Sequence, residues 1–293
     1  MSPPVAPLPL DRPSAPKEPP PPGACDAHVH MLARSDDFPL WDGRVEDPGA
    51  GDMDAWLERY RIHLETLGLS RGVIVHSIFY GTDNRVTAAA IEALGRDDFR
   101  AIGLVDDAAS DADLDRLADQ GFVGIRLNYV HQSVLSFEGV RAMAPRLSER
   151  GLHVQMLVNA DKHMADLADA VVELGVPVVF DHIGWPDLAA GIDEPGFQAL
   201  CRLLAEGKCW VKLTGLYRVA DAPYEASDAA VAALVAANPE RCVWGSDWPH
   251  IMLADAKMPD AGRLLDAFHR VVTDTETRRR IFVDNPAGLY GFD

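Results

Sequence analysis

The stretch Cys-Asp-Ala-His-Val-His, residues 25–30, is the first segment of the chain with the pattern of a β-strand, and it ends in two histidines. An open, doubly wound sheet usually carries a glycine-rich phosphate-binding turn after its first strand, and no such turn follows His30. In a barrel, by contrast, polar side chains collect at the carboxyl ends of the strands. This segment therefore favours a barrel over an open sheet.

Short apolar segments alternate with longer amphipathic ones along the rest of the chain. Several of the short segments, such as VPVVF at 176–180, are almost continuously apolar, which is typical of parallel strands covered on both faces. The predicted strands are 25–30, 72–78, 100–105, 123–128, 152–158, 177–182, 209–214 and 242–247, and the predicted helices are 53–67, 84–94, 111–120, 138–150, 162–174, 196–206, 227–237 and 260–272. Eight βα units in about 270 residues predict one α/β domain, a (β/α)8 TIM barrel spanning 24–293.

The first 23 residues differ in composition from the rest of the chain. Ten of the 21 prolines lie between Pro3 and Pro22. Such a composition predicts an extended proline-rich arm, residues 1–23, without a fold of its own. We expect the end of this arm to pack against the barrel and lead into the first strand, and the first dozen or so residues to be free.

The overall composition limits the classes of partner. Lys and Arg number 27 against 45 Asp and Glu, a formal net charge of −18, which argues against nucleic acid and anionic membrane surfaces. No segment approaches the roughly 18 to 20 apolar residues of a transmembrane helix, and we expect no secretory signal. The four cysteines are scattered, as in cytoplasmic proteins with reduced thiols. We expect a cytoplasmic protein that acts on a small molecule, and its oligomeric state is left open.

Chemically active side chains follow the predicted strands. His28 and His30 lie two residues apart in a strand, so their imidazoles project from the same face. If that face is the barrel interior, they converge with His182 after strand six and Asp247 after strand eight. Three imidazoles and a carboxylate can bind one zinc ion or transfer protons without a metal. Both readings stay open at this point.

Four further residues are candidates for substrate contacts. Arg126 ends the otherwise apolar strand GIRLN, and a buried guanidinium needs an anion, which a substrate carboxylate would supply. Arg218 follows strand seven, where a substrate contact and a rim salt bridge are equally plausible. His76 and Ser77 point to opposite faces of strand two, and we take Ser77 as the pocket residue. His250 belongs to the polar group SDWPH that ends strand eight.

Several motifs recur in a fixed order along the chain. They are PPPGACDAHVH (20–30), GTDN (81–84), GIRLN (124–128), DHIGWPD (181–187), VKLTGLYR (211–218), WGSDWPH (244–250) and DNPAGLYGF (284–292). Together they resemble the amidohydrolase superfamily, in particular its branch of 2-pyrone-4,6-dicarboxylate lactonases and sugar-acid lactone enzymes. The resemblance extends from about residue 19 to the end of the chain, and it implies a distorted (β/α)8 barrel and hydrolysis of a lactone ester bond.

The resemblance also implies roles for individual residues. Most amidohydrolases hold one or two metals with a bridging Lys or Glu from strand four or five, but here strand four ends in Arg126 and strand five reads LHVQMLV. The pyrone lactonases resemble this pattern and work without metal, so we expect no cofactor. The implied general base is Asp247, the implied site histidines are His28, His30 and His182, and the implied carboxylate contacts are Arg126 and Arg218. The alternative is one divalent metal such as zinc on His28, His30, His182 and Asp247.

Two departures from the pyrone lactonases bear on the substrate. Leu157 stands where those enzymes carry a tyrosine, and Met252 stands where they carry a polar residue. Without these donors a dicarboxylate should bind poorly, because each carboxylate oxygen left unpaired is costly to desolvate. We therefore expect a monoanionic or neutral lactone, from a sugar acid or an aromatic-breakdown pathway.

The expected reaction is metal-independent hydrolysis of that lactone. Asp247 activates water, and the histidines stabilise the oxyanion through hydrogen bonds or positive charge. A metal-dependent hydrolase or decarboxylase and a lactone isomerase, each on the same barrel, remain alternatives.

Overall fold

Eight parallel strands form one sheet in chain order, β1 to β8, in the computed structural model, which describes residues 3–34, 37–131, 133–254 and 256–293. The ring is completed between β8 and β1 at their carboxyl ends, where the backbone N–H of His30 donates to the Trp248 carbonyl at 2.7 Å. The strands are β1 (Cys25–Val29), β2 (Arg71–Val75), β3 (Phe99–Gly103), β4 (Phe122–Asn128), β5 (His153–Leu157), β6 (Val178–Phe180), β7 (Trp210–Leu213) and β8 (Cys242–Trp244). The predicted (β/α)8 barrel is confirmed.

A helix follows each strand and covers the outside of the barrel. The helices are α1 (Met53–Leu67), α2 (Arg85–Leu94), α3 (Asp111–Asp119), α4 (Phe137–Glu149), α5 (Ala160–Glu173), α6 (Pro195–Ala205), α7 (Asp228–Ala237) and α8 (Ala261–Val271), with α9 (Thr275–Arg279) and α10 (Asn285–Tyr290) at the C-terminal end. In the part of the chain that the structure describes, no helix combines the length and the apolar character needed to cross a membrane.

Most strands end earlier than the sequence pattern predicts. β2 ends at Val75, and Ser77 then caps a short 3-10 turn, Ile78–Tyr80. β8 ends at Trp244, and Asp247 beyond it has a φ of 63°, which no extended strand can contain. Ser77, His182 and Asp247, which the alternation placed in the strands, therefore lie in the turns just after them. Those turns form the rim at which barrel active sites are built.

The amino ends of the strands are closed by the C-terminal segment. Tyr290 and Phe292 are buried against the apolar strand residues Cys25, Val73 and Val243. Arg71 and Arg100, at the starts of β2 and β3, place their guanidinium groups 5.4 and 4.9 Å from the centre of the Phe292 ring. This end of the barrel is therefore filled by side chains.

The proline-rich arm is held along the outer wall of the barrel. The backbone N–H of Ala6 donates to the Asp47 carbonyl at 2.8 Å, within the loop that precedes α1. Further along, Ser14 donates its backbone N–H at 3.0 Å and its hydroxyl at 2.5 Å to Asp260, the residue before α8. The arm leads into β1, but the expectation that its first dozen residues are free is wrong for residues 3–12. Met1 and Ser2 lie outside the described residues.

Candidate active site

His28 and His30 both face the interior of the barrel, as the two-residue spacing predicts. Their rings are in edge contact, with centroids 5.1 Å apart, and both side chains are buried. The register of β1 against β2 shifts between Asp26 and Val29, which marks a bulge in β1. In a regular strand Asp26, two residues before His28, would face the interior with it. Because of this bulge, Asp26 instead faces helix α1, where its Oδ2 lies 3.4 Å from Nε2 of His63.

The carboxylate of Asp247 lies against all three predicted site histidines. Its Oδ1 is 3.6 Å from Nε2 of His28 and 3.6 Å from Nε2 of His30, while Oδ2 is 3.8 Å from Nε2 of His182. The backbone N–H of Asp247 also donates to the His28 carbonyl at 2.9 Å. The structure thus brings together the four residues that the sequence singled out.

A second carboxylate, Asp26, positions the turn that carries Asp247. It accepts the backbone N–H of Ser246 at 2.8 Å and the Ser246 hydroxyl at 2.6 Å. The same hydroxyl accepts the backbone N–H of Trp248 at 3.1 Å. All these groups are buried, so the hydrogen bonds hold the residues on both sides of Asp247 against β1.

Oδ2 of Asp247 has two strong hydrogen-bond donors. The Tyr217 hydroxyl donates at 2.7 Å and Nε of Arg218 donates at 2.8 Å. Burial alone would raise the pKa of Asp247, but the positive charge of Arg218, with a smaller effect from His182, holds that pKa well below its usual range. Asp247 is therefore a carboxylate at neutral pH.

Arg218 is itself fixed by the turn after β8. Its Nη2 donates to the Ile251 carbonyl at 3.2 Å and its Nη1 donates to the Met252 carbonyl at 3.4 Å. The guanidinium also lies over the ring of Trp185, 5.4 Å from its centre. All three nitrogens of this guanidinium thus have protein partners.

A third buried carboxylate, Asp181, lies on the other side of His28. Its Oδ1 is 3.2 Å from Nδ1 of His28. Its Oδ2 accepts hydrogen bonds from Nε of Arg126 at 3.1 Å and from Nε2 of Gln155 at 3.1 Å, and it also forms an ion-pair contact with Nη2 of Arg126 at 3.0 Å. Burial alone would raise the pKa of Asp181, but His28 and Arg126 outweigh it and hold the pKa well below its usual range. The sequence reading assigned this residue no role.

Lys212 completes the polar network beneath Asp181. Its ammonium donates to the Ala27 carbonyl at 2.8 Å and to Oε1 of Gln155 at 2.6 Å, and it lies 3.9 Å from Oδ1 of Asp181. Burial lowers the pKa of Lys212 to about 8. From the sequence, Lys212 is noted only as a polar residue near the end of strand seven, and Gln155 is assigned no role. The signal that could have found them is a single polar residue in the centre of an otherwise buried strand.

The histidines differ in the partners of their second ring nitrogens. Nδ1 of His30 is 2.7 Å from the Val75 carbonyl, which can only accept, so the proton of the neutral ring is on Nδ1 and a lone pair on Nε2 faces Asp247. Nδ1 of His182 is 2.7 Å from the Thr214 hydroxyl, which can donate to it. Burial lowers the pKa of His182 to about 3 and that of His28 well below 6.5, so both rings are uncharged at neutral pH.

A cavity opens above this cluster at the carboxyl ends of the strands. Arg126 and Arg218 lie on its polar side, and Leu157 contributes to its apolar side. Its lining residues are His30, Ser77, Ile78, Arg126, Asn128, His131, Leu157, His182, Trp185, Arg218, Ile251 and Met252. The cavity therefore combines two guanidinium groups with hydrocarbon side chains, and Arg218 connects it to Asp247.

Ser77 and His250, two of the predicted substrate-contact residues, lie in different surroundings. Ser77 lines the cavity, whereas His76 points away and contacts the Thr87 hydroxyl at 2.8 Å, as its place on the opposite face of the strand predicts. His250 is absent from the lining of this cavity. Its ring stands edge-on to Tyr217, with centroids 5.2 Å apart, and it faces a small separate pocket beside the arm residue Pro9. The place of His250 after strand eight did not predict that the backbone there turns its ring away from the cavity.

The donor atoms also fit one divalent cation. Nε2 of His28 and His30 and Oδ1 of Asp247 are among the atoms that lie within 4.8 Å of one another. Nε2 of His28 and Oδ1 of Asp247 are buried without a hydrogen-bond partner among the described residues. Two imidazoles and a carboxylate are common zinc ligands, and the contacts from Nδ1 to an acceptor are those that ligating histidines make. A second such group, His28, Asp181 and His182, shares His28 and lies beside Arg126.

Comparison with known proteins agrees with this geometry. The chain is 34% identical over 284 residues to the 4-sulfomuconolactone hydrolase of Rhizobium radiobacter, covering 92% of this chain and 91% of that one. It is 32% identical over 291 residues to the 2-pyrone-4,6-dicarboxylate hydrolase of Comamonas testosteroni, covering 95% and 93%. An apo crystal structure from Agrobacterium tumefaciens superposes with a TM-score of 0.84 at 27% identity, covering 95% of this chain and 99% of that one.

The model of the amidohydrolase family matches residues 25–292, from the first strand to the C-terminal segment that closes the barrel. The matched region contains every residue of the site described above. The chain therefore belongs to the amidohydrolase family, as its motifs predict.

Proposed function

We propose that the protein hydrolyses a lactone that carries one carboxylate, with Asp247 as the general base. The observation that carries this proposal is the buried, ionised Asp247, which accepts a hydrogen bond from Arg218 in the lining of a cavity that Arg126 and His182 also line. The named activities of the relatives, hydrolysis of 4-sulfomuconolactone and of 2-pyrone-4,6-dicarboxylate, support a lactone of aromatic breakdown as the substrate class.

The contacts of the two arginines support a single carboxylate. Arg218 uses Nε and both Nη atoms on protein acceptors. Arg126 uses Nε and Nη2 on Asp181, which leaves Nη1 without a hydrogen bond to any described residue. Nη1 of Arg126 is thus the guanidinium nitrogen of this pair without a protein partner among the described residues, and a substrate carboxylate there would place the lactone ring between Arg126 and Asp247. Leu157 and Met252 on the apolar wall offer no partner to a second carboxylate.

The reaction follows from the proton positions. A water molecule beside His28, His30 and Asp247 has two hydrogens, so it would donate one to Oδ1 of Asp247 and the other to the lone pair of His28 or of His30. Asp247 takes one proton as the water oxygen bonds to the lactone carbonyl carbon. The protonated Asp247 then delivers that proton to the ring oxygen as the ring C–O bond breaks, and the product is a hydroxy acid.

His182 is the member of the trio suited to stabilise the oxyanion. When the Thr214 hydroxyl donates to Nδ1 of His182, the proton of the neutral ring is on Nε2, which faces the cavity. A neutral N–H donor aimed at the developing negative charge lowers the barrier without a charged imidazole. In this proposal the histidines therefore act by hydrogen bonding and not by positive charge.

The site residues would also hold a divalent metal, and this defines the second candidate. His28, His30 and Asp247 would be its ligands, with His182 beside them. Such an ion would supply a Lewis acid for the lactone carbonyl and would lower the pKa of a bound water. Metal analysis of the purified protein, together with the rate before and after chelator treatment, separates metal-dependent from metal-independent hydrolysis.

Replacement of Asp247 by Asn tests the proposal directly. Asp247→Asn keeps the shape of the side chain but cannot accept the proton, so kcat should fall by about 10²- to 10⁴-fold while substrate binding is retained. Asp115→Asn, the same change on an exposed face of α3, is the matched control and should turn over at the wild-type rate. Lactones are screened by acid release with a pH indicator. A wild-type rate in Asp247→Asn would refute the assignment.

A lactone isomerase would use a similar pocket, and an isotope experiment distinguishes it. Hydrolysis in ¹⁸O-labelled water places one labelled oxygen in the product carboxylate, whereas acyl migration within the substrate incorporates none. We expect incorporation of one ¹⁸O atom for each turnover.

A further inference from the structure

Asp181 has no step of its own in the proposed hydrolysis, yet its side chain is fully buried. Three N–H groups, two from Arg126 and one from Gln155, converge on its Oδ2. Its Oδ1 points the other way, at Nδ1 of His28, 3.2 Å distant. Both atoms are buried and neither makes a hydrogen bond of good geometry to any described residue, so what joins them is a close ion-pair distance.

The orientation of Gln155 is set by Lys212. An ammonium group only donates, so the amide oxygen of Gln155 faces Lys212 at 2.6 Å and the amide nitrogen faces Asp181. Lys212 is in turn held by the Ala27 carbonyl at 2.8 Å, in the strand that carries His28. Lys212 therefore donates to Gln155, and Gln155 donates to Asp181, and neither hydrogen bond can run in the opposite direction.

We propose that Asp181 is a positioning residue that holds the proton of His28 on Nδ1 and thereby turns the lone pair of Nε2 toward Asp247. The ionised carboxylate can only accept, and its Oδ1 faces Nδ1 of His28, so the tautomer with the proton on Nε2 would place two acceptors 3.2 Å apart. The Val75 carbonyl imposes the same tautomer on His30. The tautomer follows from these contacts, and the catalytic use of the Nε2 lone pair rests on the proposed function.

The consequence is a division of roles among the three histidines. When His28 and His30 each carry their proton on Nδ1, three acceptors face one another. They are the two Nε2 atoms and Oδ1 of Asp247, which lies 3.6 Å from each nitrogen. Such a group accepts the hydrogens of a water molecule or binds a cation, and it cannot donate to an oxyanion. Donation is left to His182, whose Nδ1 faces a hydroxyl instead of a carbonyl or carboxylate.

The replacement Asp181→Asn is predicted to invert the tautomer of His28. The three N–H groups around Oδ2 require an acceptor, so the amide oxygen takes that place and the NH2 group faces Nδ1 of His28. The His28 proton should then move to Nε2, where it blocks the acceptor group. We expect kcat to fall by about 10- to 100-fold, with KM changed by no more than a few-fold, as is typical when the partner of a site histidine is altered.

The experiment is long-range ¹H–¹⁵N NMR of the full-length protein labelled at histidine with ¹⁵N, with the His28 signals assigned from His28→Gln. Wild type should show a protonated Nδ1 and an unprotonated Nε2 in His28, and Asp181→Asn should show the reverse. Asp26→Asn is the matched control, because Asp26 is another buried carboxylate whose contact with His28 is to the backbone N–H, at 3.3 Å, and not to the ring; its other partners are Ser246 and His63. In the control, and at His30 in every variant, the tautomer should be unchanged.

A wild-type spectrum with the His28 proton on Nε2 would overturn the proposal, as would an Asp181→Asn spectrum identical to wild type. If Asp181→Asn does not fold, the wild-type spectrum decides alone. The spectra need no substrate, so a protein that hydrolyses none of the tested lactones would refute the proposed function and leave the tautomer assignment standing.

Discussion

Four buried histidines make the barrel sensitive to mild acid. Burial lowers the pKa of His76, His153, His182 and His250 from 6.5 to about 3. As the pH falls below about 6.5, the unfolded chain takes up protons at these positions and the folded chain does not. The unfolded state therefore binds more protons, and the free energy of unfolding must decrease as the pH falls from 6.5 toward 3.

The size of the effect follows from the number of groups. Each histidine contributes a slope of up to about 1.4 kcal/mol per pH unit, so four contribute about 5 kcal/mol per pH unit in the steep part of the curve. Between pH 7 and pH 5 the expected loss is on the order of 7 kcal/mol. Because domains of this kind are stable by only about 5–15 kcal/mol, we expect the barrel to unfold between about pH 5 and pH 4.

Urea unfolding, followed by tryptophan fluorescence at several pH values between 7 and 5, measures this slope. His153→Gln isolates one of the four groups, because His153 begins β5 on the opposite side of the barrel from the cavity lining. It should reduce the slope by about 1.4 kcal/mol per pH unit without changing its sign. A slope smaller than one histidine can supply, or a slope unaffected by His153→Gln, would refute the reasoning.

Three further changes test other contacts of the structure. Gly215 has a φ of 68°, and a Cβ there would lie 2.5 Å from Nδ1 of His182, so Gly215→Ala should cost about 1–2 kcal/mol in urea unfolding and lower kcat. Asp260→Ala removes the N-cap of α8 and the anchor of Ser14, and should cost about 1–2 kcal/mol in the same assay with kcat unchanged. Leu157→Tyr places a hydroxyl donor on the apolar wall of the cavity and should raise kcat/KM for a dicarboxylate lactone relative to a monocarboxylate by about tenfold; an unchanged ratio would contradict the proposed substrate class.

The features that the sequence predicts correctly depend on local periodicity. Alternating short apolar and longer amphipathic segments specify parallel strands with crossover helices, and eight such units can close on themselves. The spacing of His28 and His30 places both rings on one face, because strand side chains alternate with a period of two. Since the carboxyl ends of all the strands meet at one rim, the pattern also predicts that His182 and Asp247 lie close to this pair of histidines.

Contacts between the strands were decided by the tertiary structure alone. The pairs of His28 with Asp181, of Arg126 with Asp181 and of Arg218 with Asp247 depend on barrel register and on the turns beyond the strands. The periodicity of one segment contains no information on the register of neighbouring strands or on the shape of the turns that follow them.

The sequence by itself thus determined the barrel, the rim and the residue types that meet there, because these follow from local periodicity and from the common direction of the strands. Only the tertiary structure decided which nitrogen of each histidine faces which oxygen, because a bulge in β1 and a left-handed turn at Asp247 redirect side chains that alternation alone would place elsewhere. The chemistry of the site depends on those directions, since a hydrogen bond requires one donor and one acceptor at each contact.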